Sequence, residues 1–253
     1  MAALYNTVIY TPLFNALIFL YETISFGDLG VAIIILTLVI RIALIPIFAK
    51  MARQNLIIQR MQPEIKKIQE QHKHDKVKQG AAMMELYRKH NINPFSSFLF
   101  LLIQIPILIA LFRVTLNGLK PEALDNLYSF IPSPGEINSM FLGLINLSNR
   151  NIVIAGLAAA AQYVQGRLAA PKIQEGKTTA AERIGRQMIF ISPAITVIFL
   201  LNLPSAIGLY WLVSTAFSVF QQMYINKEIE RHGDTRKVYQ KSDQSHGVWR
   251  SQD

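Results

Sequence analysis

The chain has 253 residues, no cysteine and a formal charge of +9, although only 16% of its residues are charged and 51% are hydrophobic. Charges and apolar runs are therefore segregated along it, which reads as one membrane bundle of several spans with basic connecting segments. The missing thiols exclude disulfides and thiolate metal centres, and no lipid-modified N-terminal cysteine is expected.

The first residues, MAALYNTVIY, have no basic segment, so no cleavable signal peptide is expected. Val8 to Tyr21 is interrupted by Thr11, Pro12 and Asn15 and reads as too short and too polar to span. Its Leu13, Phe14, Leu17, Ile18 and Tyr21 recur at helical spacing, which predicts an amphipathic helix lying in the interface within residues 1–27. Residues 29–49, LGVAIIILTLVIRIALIPIFA, then form a 21-residue stretch with a single charge, Arg41. That length spans a hydrocarbon core. A charge near the middle of such a helix costs roughly 2.5–3.5 kcal/mol on insertion scales. Two readings compete. Arg41 snorkels to the nearer interface, or it faces a polar cavity inside the bundle. Thr37 lies one turn earlier on the same face.

Residues 50–93 hold ten Lys/Arg against four Asp/Glu. Met61, Ile65 and Ile68, then Val77, Ala81 and Met84, recur at helical spacing on either side of His72-Lys73-His74-Asp75. Gln62-Pro63-Glu64 has the form of a helix start. This predicts two short antiparallel helices, against the plainer reading of one solvated basic arm. The second span is 94–112, with Gln104 its only amide. The third, 152–170, carries Gln162 and Gln165 after an alanine-rich stretch suited to close packing. The fourth, 188–203, has only 16 residues, about 24 Å as a helix. Ser192 and Thr196 share its face. The fifth, 205–225, follows Asn202-Leu203-Pro204 and presents Gly208, Trp211, Thr215, Ser218 and Gln222 along one side. Residues 226–253 form a basic cytoplasmic tail expected to lack order.

Loop charge orients the bundle. The segments 50–93, 166–187 and the tail are basic, while 113–151 holds only Arg113, Lys120 and Arg150. The positive-inside rule places the N-terminus outside and the C-terminus in the cytoplasm, as five spans require.

Each polar residue within a span could make an ordinary interhelical hydrogen bond. Five spans each with a polar stripe, one with an arginine, point instead to a shared hydrated cavity. No catalytic set is visible. The five histidines, His72, His74, His90, His232 and His246, lie outside the spans, and no Asp or Glu lies within one. A Ser–His hydrolase, an intramembrane metalloprotease and a proton-coupled pump therefore lack their working groups. There is no phosphate-binding glycine loop, and no cofactor or metal is expected.

Several long segments carry a resemblance. PLFNALIFLYETI with LGVAIIILTLVIRIALIPIF, MQPEIKKIQEQHKHDK with MMELYRKHNINPFSSFLFLLIQIPILIALFRV, and LPSAIGLYWLVSTAFSVFQQMYI resemble, in order, the YidC/Oxa1/Alb3 family of membrane protein insertases. The likeness runs from about Thr11 to Arg231 and is closest to the compact form of Gram-positive-type bacteria. PFSSF departs from the family, many of whose members have a proline, two glycines and a cysteine there.

The resemblance implies an all-α, five-span membrane bundle with an interfacial N-terminal helix and a cytoplasmic hairpin, in a bacterial plasma membrane. It implies a hydrophilic groove, open to the cytoplasm and to lipid and closed outside, with Arg41 as its charge. Trp211 would line it, as would Gln162 or Gln165. The groove would ease an acidic extracellular tail part-way across, the fourth span would thin the bilayer, and the substrate helix would leave sideways into lipid. Implied partners are nascent membrane proteins, the ribosome, the Sec translocon, signal recognition particle components and lipid. The hairpin would make the first contact. Lys227, Arg231, Arg236, Lys237, Lys241 and Arg250 would meet ribosomal RNA phosphates, unless the tail is merely solubilising. Two rivals are an anion or small-molecule transporter using the arginine, for which the inverted repeats are missing, and a ribosome-binding scaffold, which needs no buried arginine.

Overall fold

A computed structural model describes residues 2–90, 92–93, 96–115, 124, 126–170 and 180–232. The described chain is almost entirely helical. It opens with α1 (Ala2–Tyr5), a π-helical turn (Asn6–Tyr10) and α2 (Thr11–Thr23), with Pro12 in the first turn of α2 where its missing N–H matters least. The expectation that this stretch is too short and too polar to span is corrected, because the continuous helix Ala3–Thr23 is long and apolar enough to cross a membrane. Asn15 supplies a physical reason. Its side chain is buried, its Nδ2 donates to the Thr11 and Asn126 carbonyls at 2.9 and 3.2 Å, and its Oδ1 accepts from the Tyr128 N–H at 2.7 Å. The amide is satisfied inside the fold instead of interrupting an outer face.

α3 (Leu29–Ala43) starts at Asp28, whose Oδ1 caps it by accepting from the Val31 N–H at 2.9 Å. The stretch 29–49 is not one straight span. At Leu44 the chain bends by 65° into α4 (Ile45–Arg60). Pro46, in the first turn of α4, has no N–H with which to continue the α3 ladder. α4 then runs to Arg60, so the expected hairpin segment 50–93 begins with a long helix. α5 (Gln62–Gln71) and α6 (Lys76–Lys89) follow, the latter capped by Asp75, which accepts from the Lys78 N–H at 3.0 Å. Met61 and Ile65 at the start of α5 pack with Leu86 near the end of α6 and with Ile92. Gln79 Nε2 donates to the Gln69 carbonyl at 3.3 Å, so the two helices run antiparallel.

α7 spans Ser96–Arg113 with Pro106 inside it. Residues 94 and 95 of the expected second span lie outside the described residues. A small hairpin follows, β1 (Met140–Phe141) antiparallel to β2 (Ile145–Asn146), with Phe141 opposite Ile145. α8 (Ile152–Ala169) is capped by Asn151, which accepts from Val153 and Ile154 N–H at 2.9 and 3.1 Å. α9 (Ala180–Leu200) has 21 residues, about 31 Å of helix. The helix starts eight residues before Met188 and ends at Leu200, but its added turns carry Glu182, Arg183 and Arg186, so its apolar part stays close to the expected short span. α10 (Ser205–His232) runs for 28 residues, so the first part of the expected tail is helix and only residues 233–253 lie outside the described residues.

Among the described residues, Ala3–Thr23, Ile152–Ala169 and Arg183–Leu200 can cross a membrane by length and composition, and α3 with α4 make a fourth if the bent pair is one span. α10 is long enough, but Ser214, Thr215, Ser218, Gln221 and Gln222 interleave its apolar residues.

α10 packs on α8 and α3, α9 packs on the other side of α8, and α2 packs on α3. The main core gathers Phe14, Leu17 and Ile18 of α2, Leu29, Ala32, Ile33 and Leu36 of α3, and Leu147, Ile154 and Tyr210. It fills the end of the bundle remote from α5 and α6. Gly208 brings α10 close to α8, since a Cβ there would lie 2.9 Å from Ile154 Cγ2.

Candidate functional site

Arg41 occupies the last turn of α3, directly before the bend. It is 5% exposed, yet every hydrogen-bond partner the fold gives it is neutral. Ser214 Oγ accepts from its Nε at 2.8 Å and also from its Nη2. Ser218 Oγ accepts from Nη1 at 3.2 Å, and Gln104 Oε1 accepts from Nη2 at 3.5 Å. Gln104 Nε2 in turn donates to the Tyr210 hydroxyl at 2.7 Å. The guanidinium lies 4.9 Å from the centre of the Phe48 ring, a cation–π contact. The bend creates that contact by turning α4 back beside Arg41. One cation is thus held by α3, α4, α7 and α10 together, with no carboxylate partner among the described residues.

One side of Arg41 is open. A cavity of about 270 Å³ is lined by Arg41, Ser218, Gln222, Gln165, Asn55 and Phe48, among others. Its walls are the α4 turns after the bend, the last turns of α8 and the later turns of α10. It therefore faces the α5–α6 end, while the apolar core seals the opposite end.

The polar residues of α8 and α9 gather elsewhere. Gln162 Nε2 donates to Ser192 Oγ at 2.5 Å, and Thr196 Oγ1 donates to Gln162 Oε1 at 2.6 Å. A second cavity, about 550 Å³, lies beside this clasp and is lined by Gln162, Ser192, Gln59, Gln62 and Arg186, among others. Gln165 lines both cavities, so of the two candidate glutamines it is the one placed at Arg41.

Not every expected residue joins. Thr37 is fully buried and its Oγ1 donates back to the Ile33 carbonyl at 2.6 Å, as a mid-helix threonine does. Thr215 is buried and lines neither cavity. Trp211 also lines neither. Its ring packs 6.2 Å from Phe199 against the Ala155, Ala158 and Leu200 cluster. Ser214 bonds Arg41 directly and Tyr210 reaches it through Gln104, although neither lines either cavity. Tyr210, Ser214 and Ser218 are spaced i, i+4, i+8, so the face at Arg41 shares Ser218 with the one read from sequence and departs from it only toward Tyr210.

The family model described as 60Kd inner membrane protein matches residues 19–232. The chain belongs to this family. It is 31% identical over 222 residues to a Fusobacterium nucleatum protein named Membrane protein insertase YidC, covering 87% of this chain and 98% of that protein. A Clostridium tetani protein of the same name is 36% identical over 204 residues, with 80% and 84% covered. One from Wolinella succinogenes is 32% identical over 219 residues, and there the match spans 87% of this chain but only 37% of the relative. The chain is thus similar in extent to the shorter relatives and corresponds to about a third of the longer one. Family membership and the apolar helices make it a multi-pass membrane protein of a bacterial membrane.

The basic residues of the tail divide. Lys227 is exposed on α10 and Arg231 lies in its last turn, while Arg236, Lys237, Lys241 and Arg250 lie outside the described residues. At the cavity end the helices are tied by polar contacts. Arg53 Nη2 meets Glu228 Oε2 at 2.9 Å, Gln59 Nε2 donates to the Ala169 carbonyl at 2.5 Å, and Asn226 Nδ2 donates to the Leu168 carbonyl at 3.3 Å. The last two satisfy carbonyls that the end of α8 would otherwise leave unpaired.

Proposed function

We propose that the chain is a membrane protein insertase and chaperone whose working surface is the Arg41 cavity. The observation that carries this is a buried arginine held only by neutral acceptors beside an open polar cavity. A hydroxyl or amide that accepts from a guanidinium can be exchanged for a carboxylate, which accepts more strongly. The acidic tail of a nascent membrane protein can therefore replace Ser218 or Gln104 at Arg41, and the bundle keeps its own hydrogen bonds through Ser214. At about 4 Å and an effective dielectric of about 20, the attraction is about 4 kcal/mol before desolvation is subtracted. The tail then occupies the cavity while its hydrophobic helix partitions into lipid, driven by apolar burial.

In this reading α3 with α4, α7, α8, α9 and α10 are the five crossings, the helix Ala3–Thr23 lies along the outer interface although it is long enough to cross, the N-terminus lies outside, and the cavity and the α5–α6 hairpin face the cytoplasm. The basic hairpin and tail would meet the ribosome there. No nucleotide and no catalytic step are required. The apolar part of α9 begins only after Arg186, so this helix can still thin the bilayer locally, and the cavity shortens the polar path further. The names of the relatives, each a membrane protein insertase, point the same way.

The test is insertion of two matched model substrates into proteoliposomes, one with an acidic tail and one with a neutral tail. Arg41→Ala should impair the acidic-tailed substrate selectively. Arg41→Lys should retain more activity, because charge matters more than fork geometry. Equal loss for both tails, with the fold intact, refutes the electrostatic role.

A further inference from the structure

At the end of the bundle remote from the Arg41 cavity, two turns present bulky apolar side chains outward. Phe26, between α2 and α3, is 98% exposed. Leu142 and Leu144, in the β1–β2 turn, are 62% and 82% exposed, and Phe130 nearby in the chain is 73% exposed. Ile152 and Val153, at the start of α8, are also exposed.

Neither water nor turn chemistry accounts for these residues. Leu144 N–H donates to the Phe141 carbonyl at 2.9 Å and closes a tight turn whose central residues, Leu142 and Gly143, have φ of 53° and 67°. Such a turn favours Asn-Gly, and a branched apolar residue in the left-handed region is strained. Phe26 has φ of 53° as well. Two large apolar residues thus occupy backbone positions that polar residues or glycine fill more easily. Each points its side chain away from the protein.

The turns are held rigidly. Asp28 uses one carboxylate for both, with Oδ1 accepting from Val31 N–H at 2.9 Å and Oδ2 from Leu142 N–H at 2.6 Å. The Tyr21 hydroxyl accepts from Asn138 N–H at 2.9 Å, and Asn15 holds residues 126 and 128. Ile131 and Leu147 anchor the segment in the core, and Leu127, Ile137, Phe141 and Ile145 pack against it, so the exposed leucines of the turn stand on a fixed base. Residues 126–149 contain one charged residue, Glu136, in 24 positions, where an average sequence has about 25% charged residues.

We propose that Phe26, Leu142 and Leu144 form a rigid prong seated in the bilayer interface of the leaflet at this end. The β1–β2 turn itself carries no charge, and the charges beside the patch, Glu22, Asp28 and Arg150, lie at the ends of α2, α3 and α8 where lipid headgroups can meet them, which favours lipid over a protein partner. An exposed apolar cluster of this kind is unfavourable in water, and aromatic side chains suit the headgroup boundary. The prong fixes depth. Arg41 lies 12 residues along α3 from Leu29, about 18 Å of helix. Seating the prong at one interface therefore holds Arg41 just past the middle of a ~30 Å core.

The absence of native cysteine makes the test direct. Phe26→Cys, Leu142→Cys and Leu144→Cys carry an environment-sensitive fluorophore in proteoliposomes, with Ser133→Cys and Glu136→Cys as aqueous references. Iodide is present on both sides of the bilayer, or a nitroxide is attached near the lipid headgroup. Labels at 26, 142 and 144 should emit to the blue of the references, be quenched by the lipid nitroxide and resist iodide. In a Leu142→Asn, Leu144→Asn background, in which the turn is better satisfied, the label at 26 should shift red and become open to iodide. The proposal is overturned if iodide reaches 142 and 144 as readily as 136. It is overturned equally if those labels resist both quenchers in proportion to protein density, which marks a contact between copies, or if the double substitution leaves the label at 26 unchanged.

Discussion

Replacing Ser214 by alanine removes the one acceptor shared by Arg41 Nε and Nη2. Ser214 is buried and is not part of the cavity wall, so no cavity water reaches the place its hydroxyl leaves. A hydrogen bond to a charged group contributes about 1.5–3 kcal/mol, and leaving one side of a buried charge unsatisfied costs on the same order. Ser218 accepts from the same guanidinium, but it lines the cavity, where water can replace it. A bridging water is nearly as good enthalpically as the direct bond, so Ser218→Ala should cost less than about 1 kcal/mol. The expected order of destabilisation is therefore Ser214→Ala well above Ser218→Ala. The assay is unfolding in mixed micelles of rising denaturing-detergent fraction, followed by loss of helical circular dichroism, with the two variants compared at equal protein. If Ser218→Ala is as costly as Ser214→Ala, the cavity is dry or the dry and wet sides of Arg41 have been assigned the wrong way round.

Three further outcomes follow from local geometry. Gly208→Ala puts a Cβ 2.9 Å from Ile154 Cγ2 and should destabilise by about 1–3 kcal/mol, with Ile154→Ala restoring part of it in the same unfolding assay. Gly30→Ala would place a Cβ 2.1 Å from Phe141 Cδ2; it should lift the β1–β2 hairpin off α3, seen as faster amide exchange at 140–146, and Phe141→Ala should relieve it. The Lys78 backbone N–H beside Asp75 holds that carboxyl below its ordinary value of 3.8, so the cap is fully present above that value and is lost as pH falls through the lower, folded one. Amide exchange in the first turn of α6 should rise on that acid limb, and Asp75→Asn should flatten the dependence while retaining a cap.

What the sequence reveals about this bundle depends on whether a signal is local. α8 begins at Ile152, the first residue of the expected third span, and Gln62-Pro63 marks the start of α5, because a proline position acts within one turn. Arg41 stands out because a charge in an apolar run needs no partner to be noticed. Its partners were not legible in the same way. Which of Tyr210, Trp211, Ser214 and Thr215 turns toward Arg41 depends on how α10 is rotated against α3, and no local pattern fixes that rotation. The bend at Leu44 is not apparent in the sequence, because Ile45-Pro46 looks like an ordinary apolar continuation until the lost N–H is counted. The N-terminal helix was underestimated because Asn15 reads as polar in sequence, while its partners lie 111 and 113 residues away.

The 65° bend after Arg41 makes α4 a lever whose fulcrum sits beside the cation. Its 16 residues reach about 24 Å from the fulcrum. A change of about 10° at Leu44 would carry the far end, and the α5–α6 hairpin attached to it, through about 4 Å. The same rotation would move Phe48, one turn from the fulcrum, by about 1 Å. A large excursion at the hairpin is thereby geared down to a fine adjustment at the guanidinium. The Arg53–Glu228 pair grips this arm about half-way along, where it resists swing without clamping the fulcrum.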